Sequence, residues 1–380
     1  MKKKLAIIGA KDEQVPLVLK AKEMGIETHC FSWEKTEEDT FCKGIADYFH
    51  PISILEKEQI LEKCREIGID GVTSISNDYA VPTVGYVAQN MGLPGNAYED
   101  MLIALNKYKA RLAFQKSGVR SPRFAVVHEG ALPDLTEFTY PLIVKPTDRS
   151  GSLGVMKVEK YEDLENAVQR ASELSYLKEA IIEEYISGIE VSVESISWKG
   201  KHYHLTITDK ETTGAPYYVE IAHHEPSALS AEIQEKMKIE AGKALSAVNY
   251  SFGATDTEVK VNENGDVYII EVNPRMGGDF THELMRLSIG YDFLKGVIDI
   301  AVNQFKEPVL PINKYSGIFF LSKDTEWVKQ VIENKDSDPE IDSVEIYNDE
   351  LLHLQSNFDR SGYFLYQSDR KKTKDDYITK

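Results

Sequence analysis

One run of this sequence places ionisable groups where apolar residues would be expected. It is Val267-Tyr-Ile-Ile-Glu-Val-Asn-Pro-Arg-Met-Gly-Gly-Asp279. Glu271 sits inside an aliphatic strand pattern, and a buried carboxylate needs a counter-charge. Strand alternation puts Glu271 and Asn273 on one face, with Ile270 and Val272 on the other. A carboxylate and an amide oxygen spaced this way are hard ligands that suit Mg²⁺. Glu258 lies upstream in Thr257-Glu-Val-Lys-Val261, and Asn264-Gly265 between the two segments is a hairpin signal. The hairpin would set Glu258 opposite Glu271, and a shared cation would remove their repulsion. The plainer alternative pairs Glu258 with a lysine on the sheet surface. Arg275 carries a fork that suits a substrate carboxylate. Gly277-Gly278 would let a ligand approach the backbone.

Two further stretches carry chemistry. In Pro141-Leu-Ile-Val-Lys-Pro-Thr-Asp-Arg-Ser-Gly-Ser-Leu-Gly-Val155 a strand ends in Lys145, and a Ser/Gly loop runs from Ser150 through Gly151 and Ser152 to Gly154. Glycines there can bring backbone N–H groups against phosphate oxygens, with Lys145 as a point charge. An ordinary hairpin with a solvated lysine fits the same residues. In Ala180-Ile-Ile-Glu-Glu-Tyr-Ile-Ser-Gly-Ile-Glu190, the segment Glu183-Glu184-Tyr185-Ile186 follows a strand. Its backbone could bond an adenine edge, and Glu190 could hold ribose hydroxyls; a surface turn with solvated acids is the alternative. His202, His204, His223 and His224 read singly as surface or satisfied histidines, with His223-His224 beside Glu225 a weak substrate-site signal. Tyr217-Tyr218 could belong to a covering loop.

These residues need elements to position them. Residues 5–75 alternate short apolar runs with helical periods: strands at Leu5–Gly9, Ile26–Phe31 and Ile69–Ile75, helices at Gln14–Met24 and Glu56–Ile67. That is the pattern of a parallel sheet wrapped by helices. After the turn residues Gly92-Leu-Pro-Gly95 the style changes. A cationic helix, Asn106–Ser117, precedes strands at Arg123–His128, Leu142–Lys145, Val155–Val158 and Ala180–Glu184, with a helix at Tyr161–Leu174. Alternation at Ile189–Ile196 and Tyr203–Thr208, a helix at Ala231–Asn249, and the hairpin Gly253–Val272 read as antiparallel α+β. A mixed segment follows about Val302, and the charged end Lys371–Lys380 is expected to fray.

Composition narrows the function classes. The chain has 380 residues, with 44 Lys plus Arg against 62 Asp plus Glu, a formal charge of −18. Such a chain repels a nucleic-acid backbone, so no nucleic-acid partner is expected. No apolar run reaches the roughly 18 residues of a membrane span. MKKKLAIIGA begins like a signal peptide, but Lys11-Asp12-Glu13 ends the apolar stretch too early. Three cysteines (Cys30, Cys42, Cys64) without CxxC spacing fit a reducing, cytoplasmic setting better than a disulfide or zinc framework. GxxxxGK[ST], HExxH and GxSxG are absent, and Gly9 stands alone where a GxGxxG fingerprint would begin.

The ordered set Lys107, Lys145 with Ser150–Gly154, Glu183-Glu-Tyr-Ile186, Glu190, Glu258 and Glu271-Val-Asn-Pro-Arg275 resembles the ATP-grasp superfamily. It looks most like the carboxylate–amine ligase branch that includes biotin carboxylase, the carbamoyl phosphate synthase large chain and bacterial L-amino acid ligases. The resemblance covers about residues 1 to 300. It implies a Rossmann-like N-terminal domain over 1–105, a small lid subdomain over 106–183 and a large subdomain with antiparallel sheets over 184–302. A C-terminal mixed α/β segment, 303–380, completes the chain.

It further implies ATP between the last two subdomains. Lys107 and Lys145 would sit on the phosphates, and Ser150–Gly154 would form a mobile lid. Glu183–Ile186 would be the adenine linker and Glu190 the ribose acid. Glu258, Glu271 and Asn273 would bind two Mg²⁺, with Mn²⁺ as a substitute, and Arg275 would stabilise the reacting carboxylate. The expected reaction joins a small carboxylate, amino-acid-like by the Met276-Gly-Gly-Asp279 pattern, to an amine or another nucleophile through an acyl phosphate. The alternatives are a nucleotide-pathway or other non-amino-acid carboxylate, a bicarbonate-using enzyme, or a nucleotide-binding regulator that has lost ligation. Relatives of this kind are often dimers, so a homodimer is expected. One position departs from the pattern: Asp256 stands where many members carry His in Gly-x-x-His-x-Glu.

Overall fold

The computed structural model describes residues 2–128, 132–214 and 217–378. The chain opens with β1 (Lys4–Ile8), α1 (Val15–Glu23), β2 (Glu27–Phe31), β3 (Tyr48–His50), α2 (Lys57–Ile67), β4 (Gly71–Thr73) and α3 (Val81–Met91). The four strands form one parallel sheet in the order β3-β2-β1-β4. Alternation along β1 explains its two-sided burial. Leu5 and Ile7 pack with Leu17 and Val18 of α1, while Ala6 and Ile8 join Ile60, Leu61 and Val87. After β1 the chain turns at Gly9 (φ +115°), and the Gln14 side chain fills the turn by bonding both ways to the backbone of Ile75. A glutamine thus occupies the place where a phosphate-binding glycine loop would open.

Next come α4 (Tyr98–Ala104), α5 (Lys107–Ser117), β5 (Phe124–His128), β6 (Leu142–Pro146), β7 (Met156–Val158), α6 (Leu164–Leu174) and β8 (Glu179–Glu184). The strands make a second sheet, β5-β8-β6-β7, antiparallel throughout. Its inner face, Val127, Leu142, Val144, Ala180 and Ile182, packs on Leu164, Ala167, Val168 and Ala171 of α6. The opposite face carries Lys145 and Glu183.

The rest comprises β9 (Ile189–Trp198), β10 (Lys201–Thr212), β11 (Glu220–Glu225), α7 (Ala231–Ala247), β12 (Phe252–Val261), β13 (Val267–Asn273), α8 (Thr281–Ser288), α9 (Phe293–Ala301), β14 (Tyr315–Leu321), α10 (Trp327–Glu333), β15 (Ile341–Ile346), β16 (Gly362–Ser368) and α11 (Asp375–Ile378). Eight strands form a single sheet in the order β13-β12-β9-β10-β11-β14-β16-β15. The strands after Val302 therefore extend this sheet rather than forming a sheet of their own. The end that the sequence expects to fray is held as far as residue 378: Tyr377 stacks on Trp327, and Arg370 pairs with Asp376. The last two residues lie outside the described residues. No helix among those described is long and apolar enough to cross a membrane.

Candidate active site

The large sheet has a polar face, and its register decides which side chains meet there. The turn between β12 and β13 closes through Asn262, Gly265 (φ +75°) and Asp266. It sets Glu258 opposite Glu271 and Asp256 opposite Asn273. On the other flank of β12, Ser192 faces Glu258 and Glu194 faces Asp256. Residues directly across a ladder share a face, as do residues two apart along a strand. One surface thus gathers two glutamates, two further acids and an amide.

Two lysines, Lys107 and Lys210, pair with the two glutamates, and a third, Lys145, pairs with Glu183 on the facing sheet. Lys107 opens α5, whose N-cap Asn106 accepts from Lys109 N. From there Lys107 Nζ donates to Glu271 Oε1 at 2.8 Å and to Arg149 O at 2.6 Å. Lys145 Nζ is 2.8 Å from Glu183 Oε2, and Arg111 Nη2 is 2.8 Å from the other oxygen. Lys210 of β10 lies 3.3 Å from Glu258 Oε1. Helix α5 therefore ties both sheets together, because Arg111 also donates to Ile270 O.

All of these pairs are shielded from water. Burial alone would depress the ammonium of Lys107, but the Glu271 charge overcomes it and raises the pKa. Lys210 is likewise raised against burial, by Glu258 and Asp256. Burial would raise Glu183 and Glu258, yet Arg111 and Lys145 hold the first below the usual carboxylate range, and Lys210 the second. Glu194 behaves in the opposite way. Burial, reinforced by Asp256 and Glu225, pushes its carboxyl well up.

Arg275 follows β13 and is anchored by Asp78 of the N-terminal region, Nε to Oδ1 at 2.9 Å. Its Nη1 stands 3.6 Å from Asp256 Oδ2. The substituted position Asp256 thus belongs to the arginine's surroundings. Ser76 donates to Gly277 O at 3.0 Å. A Cβ at Gly277 would meet Thr281 Oγ1 at 2.8 Å, so its own neighbours demand that glycine; Gly278 faces open space.

The loop Ser150–Gly154 joins β6 to β7. Gly151, Ser152 and Gly154 have φ of +63°, +55° and +78°, and Leu153 is largely exposed. Successive left-handed residues turn N–H groups into a concavity suited to an anion. Beyond β8, the N–H groups of Glu184 and Tyr185 are bonded to Arg123 O and Pro141 O. Glu190 pairs with Lys260 at 3.3 Å at the open rim.

The structure therefore brings together Lys107, Glu271, Asn273, Glu258 and Arg275 on one sheet face, with Lys145 and Glu183 across α5. Glu184, Tyr185, Ile186 and Glu190 lie at the edge of this assembly. The lysine partner of Glu258 exists, as the plainer alternative had it, but it is buried in the site. Sequence reasoning missed Lys210, Arg111, Asp78 and Glu194. Lys210 left a signal: Thr206, Thr208 and Lys210 are polar at every second position of a strand. Asp78 left none, being brought in by tertiary contact alone.

Glu258, Glu271 and Asn273 offer two carboxylates and an amide oxygen. No group of three or more His, Cys, Asp or Glu among the described residues could hold a metal ion on its own. That donor set suits Mg²⁺, which usually takes one or two carboxylates and completes its shell with water and substrate phosphates.

Residues 138–283 match the model of the ATP-grasp domain. Among curated proteins it is 27% identical over 302 residues to alanine–anticapsin ligase of Bacillus subtilis (strain 168), covering 70% of this chain and 63% of that protein. The chain therefore matches a little under two thirds of that relative's length. Among solved structures, L-amino acid ligase from Bacillus licheniformis superposes with a TM-score of 0.81 at 23% identity, over 97% of this chain and 94% of the other. Phosphoribosylglycinamide synthetase from Anaerococcus prevotii gives 0.77 at 22%, over 97% and 95%. At these identities the two structures establish the fold.

Proposed function

We propose that this protein is an ATP-dependent ligase that joins a small carboxylate, most simply an amino acid, to an amine through an acyl phosphate, with release of ADP and phosphate. The observation that carries the reading is the set of facing ion pairs. Lys107–Glu271, Lys145–Glu183 and Lys210–Glu258 pack cations and carboxylates into one shielded cleft. A nucleotide triphosphate and its cations would exchange partners with all three at once.

In this reading Lys107, Lys145 and Lys210 hold phosphate oxygens, and the Ser150–Gly154 amides close over them. Glu258, Glu271 and Asn273 hold two Mg²⁺, which when bound neutralise charge on the transferring phosphoryl group. The segment Glu183–Ile186 borders the base and Glu190 the ribose. Arg275, fixed by Asp78, orients the substrate carboxylate for attack on the γ-phosphate. The amine then attacks the acyl carbon and phosphate leaves. Positioning and electrostatics do most of this work, and a closed cleft protects the acyl phosphate from water.

The 27% identity to a curated amino acid ligase supports the amino-acid reading of the carboxylate. The test is ADP and phosphate release with MgATP against amino acids, singly and in pairs. Release that needs a carboxylate and an amine, with a ligated product by mass spectrometry, is the expected outcome. Release that no carboxylate stimulates would overturn the reading.

A further inference from the structure

The face of the large sheet turned to α7 changes character at one end. Along β9, Val191 and Val193 pack under Met237 and Ala241 of α7. Alternation puts Ser195 and Ser197 next on that face, and across the ladder they meet His204 and His202 of β10. Lys238, Gly242 and Ser246 of α7 and Ser117 of α5 stand around the two histidines. Together they border an open groove of about 540 Å³, a size usual for small-ligand sites. The groove lies on the opposite face of the sheet from Glu258 and Lys210.

Gly242 sits inside α7, where glycine weakens a helix relative to alanine. A Cβ there would stand 3.3 Å from His204 Nε2. The bare turn thus leaves that nitrogen uncovered.

The partners of these groups decide where their protons lie. Ser246 Oγ donates to Gly242 O at 2.9 Å, so toward His202 Nε2, at 3.2 Å, it can only accept. Burial lowers the pKa of His202, which is therefore neutral and carries its proton on Nε2. Its Nδ1 then accepts from Ser197 Oγ at 2.8 Å. The neighbouring pair repeats the pattern. Ser195 is fully buried, and among the described residues its hydroxyl has one partner, His204 Nδ1 at 2.8 Å. A buried hydroxyl spends its proton where it can, so His204 keeps its own at Nε2, facing the groove. Both lone pairs that a metal ion would need are turned to serine.

The groove also carries positive charge. Burial, then the charges of His202 and Lys238, push the His204 imidazole down to about 4, so it is uncharged at neutral pH. Lys243 is held by Glu240 at 2.6 Å. Among the described residues no carboxylate lies within ion-pair distance of Lys238. None of the lining residues is acidic. In a chain of charge −18, an ammonium and an imidazole N–H therefore share one groove with no acceptor between them.

We infer that this groove binds a small oxyanion, a phosphate or carboxylate group on a metabolite-sized molecule, through Lys238 Nζ and His204 Nε2–H, with Ser117 at its edge. The site is separate from the phosphate cleft and does not depend on the ligase reading.

The test is nuclear magnetic resonance of the histidine ring protons in the full chain at neutral pH, with the cleft filled by a non-hydrolysable ATP analogue and Mg²⁺. His204→Gln assigns the His204 signal. The probes are inorganic phosphate, ribose 5-phosphate and succinate. At least one should shift the His204 signal saturably, with a Kd of about a millimolar or tighter. Saturation by the two phosphates alone identifies a phosphate ligand, and by succinate alone a carboxylate. Lys238→Gln should weaken binding about tenfold and Lys238→Glu abolish it, while affinity for the ATP analogue and melting temperature stay at wild-type values. No saturable shift with any probe, or equal affinity in wild type and Lys238→Glu, would overturn the site. A His204 signal that responds to Zn²⁺ and to none of the anions would overturn it as well.

Discussion

The central strands of the large sheet show two unlike faces. On one, Val191, Val193, Ile207, Val259, Val261, Val267 and Ile269 pack against Met237, Ala241, Ala244 and Leu245 of α7. On the other, Glu194, Asp256 and Asn273 come from the same strands and are buried, while Glu258 and Lys210 keep 25% and 8% of their side chains open to solvent. The first face gains free energy roughly in proportion to the apolar area buried. The second opposes folding unless every charge finds a partner. At its far end the polar face turns apolar, where Ile196 and Ala254 meet Val297 and Ile298 of α9. Charge is thus confined to the stretch that faces α5 and the turn after β13. The strands are stabilised by one surface so that the other can be held ready for ligands.

The contrast can be broken at neighbouring positions of one strand. Glu271→Gln should lower ATP turnover by about 10²- to 10³-fold, the usual cost of one electrostatic contact to the transition state, roughly 2.7–4 kcal/mol. Its fold should survive, because Lys107 keeps its bond to Arg149 O. Coupled ADP assay and thermal melting on the same sample check both halves. Ile269→Ala, two residues away but turned to the α7 face by the register shift between Glu258 and Val259, should do the reverse. Its side chain is fully buried, so the loss should be about 2–5 kcal/mol of stability with turnover per folded molecule retained. Denaturant unfolding measures the first quantity, and an active-site-normalised rate the second. A rate loss in Ile269→Ala equal to that of Glu271→Gln would abolish the distinction between the faces.

What could be read in advance follows the same division. The N-terminal parallel sheet was legible because Leu5–Ile8 and Thr28–Phe31 are buried by simple alternation between helices. β3 was not, since Tyr48–His50 is a three-residue edge strand whose Tyr48 is half exposed. In the site, Glu258 opposite Glu271 was readable because Asn264-Gly265 announces the turn and fixes the register. Asp78 on Arg275, Arg111 on Glu183 and Arg360 on Asp279 were not. Each joins residues at least 70 positions apart, whose meeting depends on how whole elements pack.

A pH experiment sharpens the contrast from inside the polar face. Glu225 is fully buried, accepting from Thr208 Oγ1 at 2.8 Å and Ser288 Oγ at 3.2 Å. Burial, opposed by these two bonds, pushes its carboxyl from 4.5 up to about 8. Between those values the folded state holds a proton that the unfolded chain has lost. Stability should therefore be fullest below about pH 4.5 and fall as pH rises toward 8, by at most roughly 1.4 kcal/mol per unit from this group. Glu225→Gln cannot lose a proton, so its melting temperature relative to wild type should climb across this window. A difference that stays flat with pH would show Glu225 to be ionised in the folded protein.

The smallest expected effect joins the two kinds of stabilisation at one residue. Asn106 caps α5 by accepting from Lys109 N at 2.9 Å, and the next residue is Lys107, the partner of Glu271. Asn106→Ala should cost about 1 kcal/mol of stability, the usual loss of an N-cap. If the cap only stabilised the helix, ATP affinity in the folded fraction would not change. If it also aims Lys107, whose ammonium must leave Glu271 for a phosphate, KM for ATP should rise while kcat falls less. Asn106→Asp restores a capping oxygen. Recovery of both stability and KM in that variant would show that one side chain serves the helix and the cleft together, whereas recovery of stability alone would place the effect on Lys107 in the amide itself.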